Sequence, residues 1–264
     1  MAAAGAAVLA VSATQAVAQT AAANPMRNGH PDLTGFWNGT VGAGDARKGD
    51  DEPQYYTRDG TLESFEDDGQ VLRRGITNRP VYKPEYWDKV RELDWNNGRQ
   101  SDPSFKCFVS FPRYNQTPEA IFQTDKHVVL IFNDNANWRR IVPIDGRPHN
   151  AARALDQTWL GDSVGKWEGD TLVIHTTGFT DESWFVSNGY IHSNELEVVE
   201  RIRREGDILH YQVTAIDPML MEPWTMTNAT LNLNKDPDAI VPEEAKCEER
   251  GGDLAAALSP EVGR

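Results

Sequence analysis

Ionisable side chains inside otherwise apolar, strand-like runs are the features of this sequence best placed to do chemistry. In Leu196-Glu197-Val198-Val199-Glu200-Arg201-Ile202 the two-residue period of a strand sets Glu200 on the face of Leu196, Val198 and Ile202. Arg140 shares a face with Trp138, Val142 and Ile144 in the same way. Burying either ion alone costs several kcal/mol, so an inward arrangement requires Arg140 and Glu200 to pair. The competing reading is a ladder of ion pairs on the outer wall, where edge strands often carry charge. Arg203 and Arg204 read as solvated.

Two imidazoles flank these runs. His149 follows a tight turn at a strand end, and His192 opens the segment that carries Glu200. Imidazole changes charge near neutral pH, which suits general acid-base work when a carboxylate orients the ring. The expected roles are proton transfer by His149 or His192, orientation by Glu200, and capture of an anionic or phenolic oxygen by Arg140. In the blander reading each histidine packs or faces solvent. His175 sits mid-strand as a third imidazole, and alternation does not say whether its face is inside. Trp138, Trp159, Trp184 and Tyr190 offer flat rings for a small aromatic or hydrophobic ligand, and Asp217 joins them as a candidate binding group.

Other chemistries fit less well. Three imidazoles plus Asp145 or Asp217 invite a metal reading, but no HxH or HxxxH spacing links His149, His175 and His192, so no metal site is expected. Ser163 in Gly161-Asp162-Ser163-Val164-Gly165 imitates a nucleophile elbow, yet an elbow joins strand to helix and this serine leads into a hairpin. With no GxGxxG or Walker loop, no cofactor is expected. The leading expectation is therefore a cofactor-independent lyase or isomerase, and the alternative a non-catalytic carrier of small molecules.

The elements that must position these groups are strands. Residues 164–167 and 171–178 flank Glu168-Gly169-Asp170, and residues 196–204 and 208–217 flank Glu205-Gly206-Asp207. Both read as hairpins with a three-residue link and a bulge, the glycine taking the positive φ. Residues 120–124, 127–133, 138–144 and 224–233 add strands at regular spacing, and residues 33–40 a first strand with Trp37 as a core plug. The fold expected is all-β, an antiparallel up-and-down, lipocalin-like barrel of about eight or more strands. A long loop and a helix from Pro84, residues 43–105 together, precede the main sheet.

Composition bounds the partners. The chain of 264 residues has 26 basic and 40 acidic side chains, a formal charge of −14 that repels phosphate backbones, so nucleic acid is not an expected partner. Residues 1–18 are small and apolar and end in Ala16-Val17-Ala18, a signal-peptidase pattern that implies export. No later stretch reaches about 18 continuous apolar residues, so no membrane insertion of the mature chain is expected. After a lead at residues 19–34, a single barrel domain spans 35–250 and a tail 251–264. Export favours a disulfide between Cys107 and Cys247, the two cysteines present. Oligomeric state is open.

The ordered motifs Asp145-Gly146-Arg147-Pro148-His149, Gly161-x-Ser163-x-Gly165-x-Trp167-Glu168-Gly169-Asp170-Thr171-Leu172, Thr177-Gly178-Phe179, His192-Ser193-x-Glu195-Leu196, Glu200-Arg201-x-Arg203-Arg204, Asp217-Pro218 and Pro223-Trp224 are specific as a set. Over roughly residues 105–250 the chain resembles a family of uncharacterised exported bacterial proteins of sphingomonads and acidobacteria. Its loop Cys107-Phe108-Val109-Ser110-Phe111-Pro112-Arg113 departs from that family's Cys-x-Pro-x-Gly pattern. The resemblance implies a lipocalin-like barrel in an oxidising periplasm and carries no activity.

Overall fold

The structure is a computed structural model that describes residues 24–41, 54–56, 62–64, 78, 80–93, 102–106, 108–109, 111–113, 116–132, 138–186 and 189–241. Nine strands make the main sheet: β1 (Gly35–Val41), β2 (Ala120–Gln123), β3 (His127–Phe132), β4 (Trp138–Pro143), β5 (Asp162–Glu168), β6 (Thr171–Thr177), β7 (Glu197–Glu205), β8 (Ile208–Ile216) and β9 (Trp224–Leu233). They follow the order β4-β3-β2-β1-β9-β8-β7-β6-β5, so all neighbours but β1 and β9 are consecutive in the chain. This is the expected up-and-down, all-β barrel, nearly closed.

Closure is the informative detail. Each of the pairings along that order is antiparallel. Nine strands make eight pairings, an even number of reversals, so β4 and β5 run in the same direction where the two ends of the sheet meet. The connection between them must therefore return along the barrel, and it does so through a short helix, Ala151–Leu155. At this seam the Gly146 N–H donates to the Gly165 carbonyl at 3.0 Å. Side chains rather than a continuous ladder hold the rest.

Alternation is strict in β7 and β8. β7 and β8 bury every second residue, so Val198, Glu200, Ile202 and Arg204 face inward beside Leu209, Tyr211, Val213 and Ala215. Trp37 is the expected plug, 2% exposed, with its indole N–H donated to the Leu33 carbonyl at 3.1 Å. Together with Leu130, Phe132, Leu172, Ile174 and Leu231 these side chains pack the lumen. Burying each large apolar side chain contributes roughly 1.5–3 kcal/mol.

Two expectations are corrected. The two hairpin links are two residues long, because Glu168 pairs with Thr171 and Glu205 with Ile208. Gly169 and Gly206, at φ of 60° and 61°, occupy the first position, as a type II′ turn requires. Arg204 is buried rather than solvated: its guanidinium donates to the Gly206 and Asp32 carbonyls and lies 5.2 Å from the Trp37 ring. The strand period carries it inward with Glu200, and backbone carbonyls serve where no carboxylate reaches.

The helix begins as foreseen, with a 3₁₀ turn at Pro84–Tyr86 leading into α1 (Trp87–Glu92). Trp87 and Val90 bury its inner face. Two short antiparallel pairs lie within residues 43–105 and beyond: Gln54–Tyr56 with Leu62–Ser64, and Trp184–Val186 with Tyr190–Ile191. The proposed signal peptide, both cysteines and the tail from 251 lie outside the described residues.

Candidate functional site

The inward charges do pair. Arg140 on β4 donates through Nη1 to Glu200 Oε2 on β7 at 2.6 Å, with the two side chains 3% and 0% exposed. Its Nη2 donates to Ser163 Oγ on β5 at 2.7 Å and to Thr176 Oγ1 on β6 at 2.9 Å. The Tyr211 hydroxyl on β8 donates to Glu200 Oε1 at 2.6 Å. Burial, and then the nearby Glu200 charge, push the Tyr211 hydroxyl well above its ordinary range, so it stays a donor. The Phe111 ring covers the Arg140 guanidinium at 4.1 Å. One arginine thus reaches every strand on the far side of the seam as far as β7 and holds the barrel edges together from within.

Outside this clasp the seam opens into a cleft of about 580 Å³. Its walls include Arg139, Arg140, Arg147 and Arg153, with Asp162 as the carboxylate among the lining residues. Arg147 is bound to Asp145 through Nε and Nη2, and that guanidinium contact holds the Asp145 carboxyl down at about 2. Arg153 is 75% exposed and 3.9 Å from Asp162, and Arg139 pairs with no carboxylate among the described residues. Ile141, Leu160 and Val164 supply apolar wall. Pairing one guanidinium face with a neighbouring acid still leaves planar donors for an incoming anion.

Beside the cleft runs a chain of side chains on the outer wall. His149 Nδ1 lies 3.0 Å from Asp162 Oδ2, His149 Nε2 lies 2.8 Å from His175 Nδ1, and His175 Nε2 lies 3.0 Å from Glu197 Oε2. Register explains the gathering: on β5, β6 and β7 the residues Asp162, His175 and Glu197 point away from Ser163, Thr176 and Glu200. The Asn150 N–H also donates to Asp162 at 3.2 Å, while the Asn150 side chain caps the short helix. That contact fixes the turn that presents His149.

The three groups expected to converge are found in separate networks. Glu200 is held by Arg140 and Tyr211, and His149 by Asp162 and His175. His192 is 2% exposed, with Nε2 at 2.7 Å from Ser183 Oγ and Nδ1 at 2.9 Å from the Ser193 carbonyl. A carbonyl can only accept, so Nδ1 carries the proton and Nε2 accepts from the serine. Burial lowers the affinity of the ring for a second proton. His192 is therefore a neutral packing histidine, in contact with Phe185 and Phe179.

The candidate binding groups divide as well. Trp138, Trp184 and Tyr190 are buried in the core, and Trp138 stacks on Phe132 at 4.1 Å. Trp159 is half-buried and stacks on Phe108 at 4.9 Å, next in sequence to Leu160 of the cleft. Asp217 accepts from the Ser193 N–H and hydroxyl and from the Met219 N–H, and so builds a turn. Sequence reasoning passed over Tyr211 and Thr176 and weighed Ser163 only as a nucleophile, whereas alternation in β8, β6 and β5 would have placed all three inward. It also passed over Arg139, Arg153, Asp162 and Glu197, which only the strand order brings to one place.

Among the described residues, no group of three or more His, Cys, Asp or Glu is arranged to hold a metal ion, and no helix is long and apolar enough to cross a membrane. No family model, curated protein or solved structure matches the chain.

Proposed function

We propose that this barrel binds a small anionic molecule, one bearing a carboxylate or phosphate together with an apolar body, in the cleft at the β4–β5 seam. The observation that carries this reading is the arginine-lined cleft itself, on a chain whose formal charge is −14. On an acidic protein, arginines that gather around a concave seam make a local positive patch that a negative partner can enter. The packed lumen argues against the wide internal cavity of a lipocalin-type carrier, so the ligand sits in the wall. Export to the periplasm, the leader at residues 1–18 and membership of the exported family remain part of this proposal.

A second reading, acid-base turnover of the bound molecule by a cofactor-independent lyase or isomerase, is favoured by the His149–His175 contact next to Asp162. Arg140 and Glu200, expected to be catalytic, act here as the structural floor. Calorimetric titration with benzoate, phenylpyruvate and inorganic phosphate tests the binding reading. One of them should bind and lose about tenfold or more in affinity in Arg139→Ala/Arg153→Ala, the usual worth of a charge-assisted contact. Binding that is indifferent to both substitutions would overturn it.

A further inference from the structure

We propose that Asp162, His149, His175 and Glu197 form a proton-transfer chain for the seam cleft, with Asp162 as its catalytic end and a proton-shift isomerisation as its chemistry. This rests on the cleft reading above. The argument is a count of hydrogens.

Each of the three contacts, Asp162 to His149, His149 to His175 and His175 to Glu197, needs one hydrogen between its heavy atoms. Two neutral imidazoles beside two carboxylates supply only two. The proposed chain takes its third hydrogen on His175, beside Glu197, whose side chain is half exposed. The directions follow: His175 Nε2–H donates to Glu197, His175 Nδ1–H donates to His149 Nε2, and His149 Nδ1–H donates to Asp162. Every hydrogen in the inner two contacts points toward the cleft.

Moving those two hydrogens one step inward converts the His175 imidazolium to a neutral ring and protonates Asp162, with no atom gained or lost. Asp162 lines the cleft, and its other oxygen faces Arg153. The O–H of Asp162 can then break as a bond from hydrogen to carbon or oxygen forms on the ligand. A proton taken by Asp162 from a second ligand atom drives the same hydrogens outward and restores the starting state. An isomerisation, which places one proton and removes another, resets the chain without turning either ring. A net protonation would leave it reversed. The charged groups facing the two imidazoles are Asp162 on β5, Glu197 on β7 and, through Asp162, Arg153 on the short helix. All lie on the outer wall, so conservative changes spare the core.

Nitrogen-15 NMR of histidine-labelled full-length protein at neutral pH tests the count without any ligand. Protonated Nδ1 on His149, bare Nε2 on His149 and both nitrogens protonated on His175 are expected. Glu197→Gln should remove the extra proton and leave His175 neutral. Two neutral rings in the unsubstituted protein would overturn the chain. The chemical step is read from deuterium exchange at the methylene of phenylpyruvate, an aromatic anion that enolises. Acceleration that falls about tenfold or more in His175→Asn and Glu197→Gln, with cleft affinity unchanged, is expected of a general acid-base group. Cleft binding with exchange unaffected by either change would overturn the chain but not the cleft. Absence of any binding that responds to Arg153→Ala would instead overturn the cleft reading.

Discussion

Arg140 and Glu200 meet 2.6 Å apart although their strands, β4 and β7, are not neighbours in the sheet. The pair spans the seam from inside, crossing over β5 and β6 and taking Ser163 and Thr176 on the way. An ion pair so thoroughly excluded from water is sustained because each charge keeps its partner and further hydrogen bonds, with Arg140 Nε the one guanidinium nitrogen that makes none among the described residues.

Removing one member should therefore be worse than removing both. Arg140→Met or Glu200→Gln alone should each lower unfolding free energy by about 3–5 kcal/mol, because a buried polar remnant is left. The double variant should lose clearly less than the sum. Urea denaturation of the four proteins closes the cycle, and additive losses would show that the two side chains do not act together.

Gly165 should be a sensitive glycine where β5 faces β4. A Cβ there would lie 3.2 Å from Ile144 and 3.3 Å from the Pro143 carbonyl, pushing β4 away from β5. Gly165→Val should cost about 1–3 kcal/mol as an overpacked site. Backbone amide exchange at Gly146, whose N–H bonds to Gly165, should speed up with it; unchanged protection would mean the seam tolerates the branch.

His192 gives the fold a pH dependence of definite sign. Burial lowers its folded pKa below the ordinary 6.5, so the unfolded chain binds the proton more readily. The contribution to stability is therefore complete above the unfolded value and is lost as pH falls below it toward the folded value. The slope is at most about 1.4 kcal/mol per pH unit for one proton. Thermal melts of the unsubstituted protein and His192→Gln between about pH 8 and about pH 5 should converge as pH falls. Parallel curves would remove His192 as the cause.

The sequence-legible part of the molecule is the part governed by a two-residue period. Strand limits, the Trp37 plug and the inward Arg140 and Glu200 all follow from which side of a strand a residue occupies. The hairpin links were legible as glycine turns but not in length, since Glu168 and Glu205 could end the strand or begin the turn. What period cannot encode is which distant strands meet. Asp162 and Glu197 look unremarkable in sequence and His175 shows only as a mid-strand imidazole of unassigned face, and the three gather only because β5, β6 and β7 are neighbours in register. Arg139 and Arg153 become a cleft only because β4 and β5 run parallel and fail to zip. His192 misled because it ends the short Trp184–Val186 and Tyr190–Ile191 ribbon, opposite Ser183, rather than opening β7.

Exposed arginines should matter to the ligand and not to the fold. Arg153→Ala and Arg139→Ala remove surface charge, so each should shift stability by about 0.5 kcal/mol or less. The Arg147→Ala change also frees Asp145, whose carboxyl should return toward its ordinary range from about 2. Melting curves taken without ligand check the first point, and carbon-13 titration of Asp145 the second.

The most direct measurement is a backbone NMR titration of the full chain with phenylpyruvate. Shift changes should concentrate on residues 139–143, 147–153 and 160–164, the two walls of the seam, and should be lost in Arg139→Ala/Arg153→Ala. Changes that instead centre on lumen residues such as Trp37 and Tyr211, or that survive loss of both arginines, would contradict an anion site at the seam.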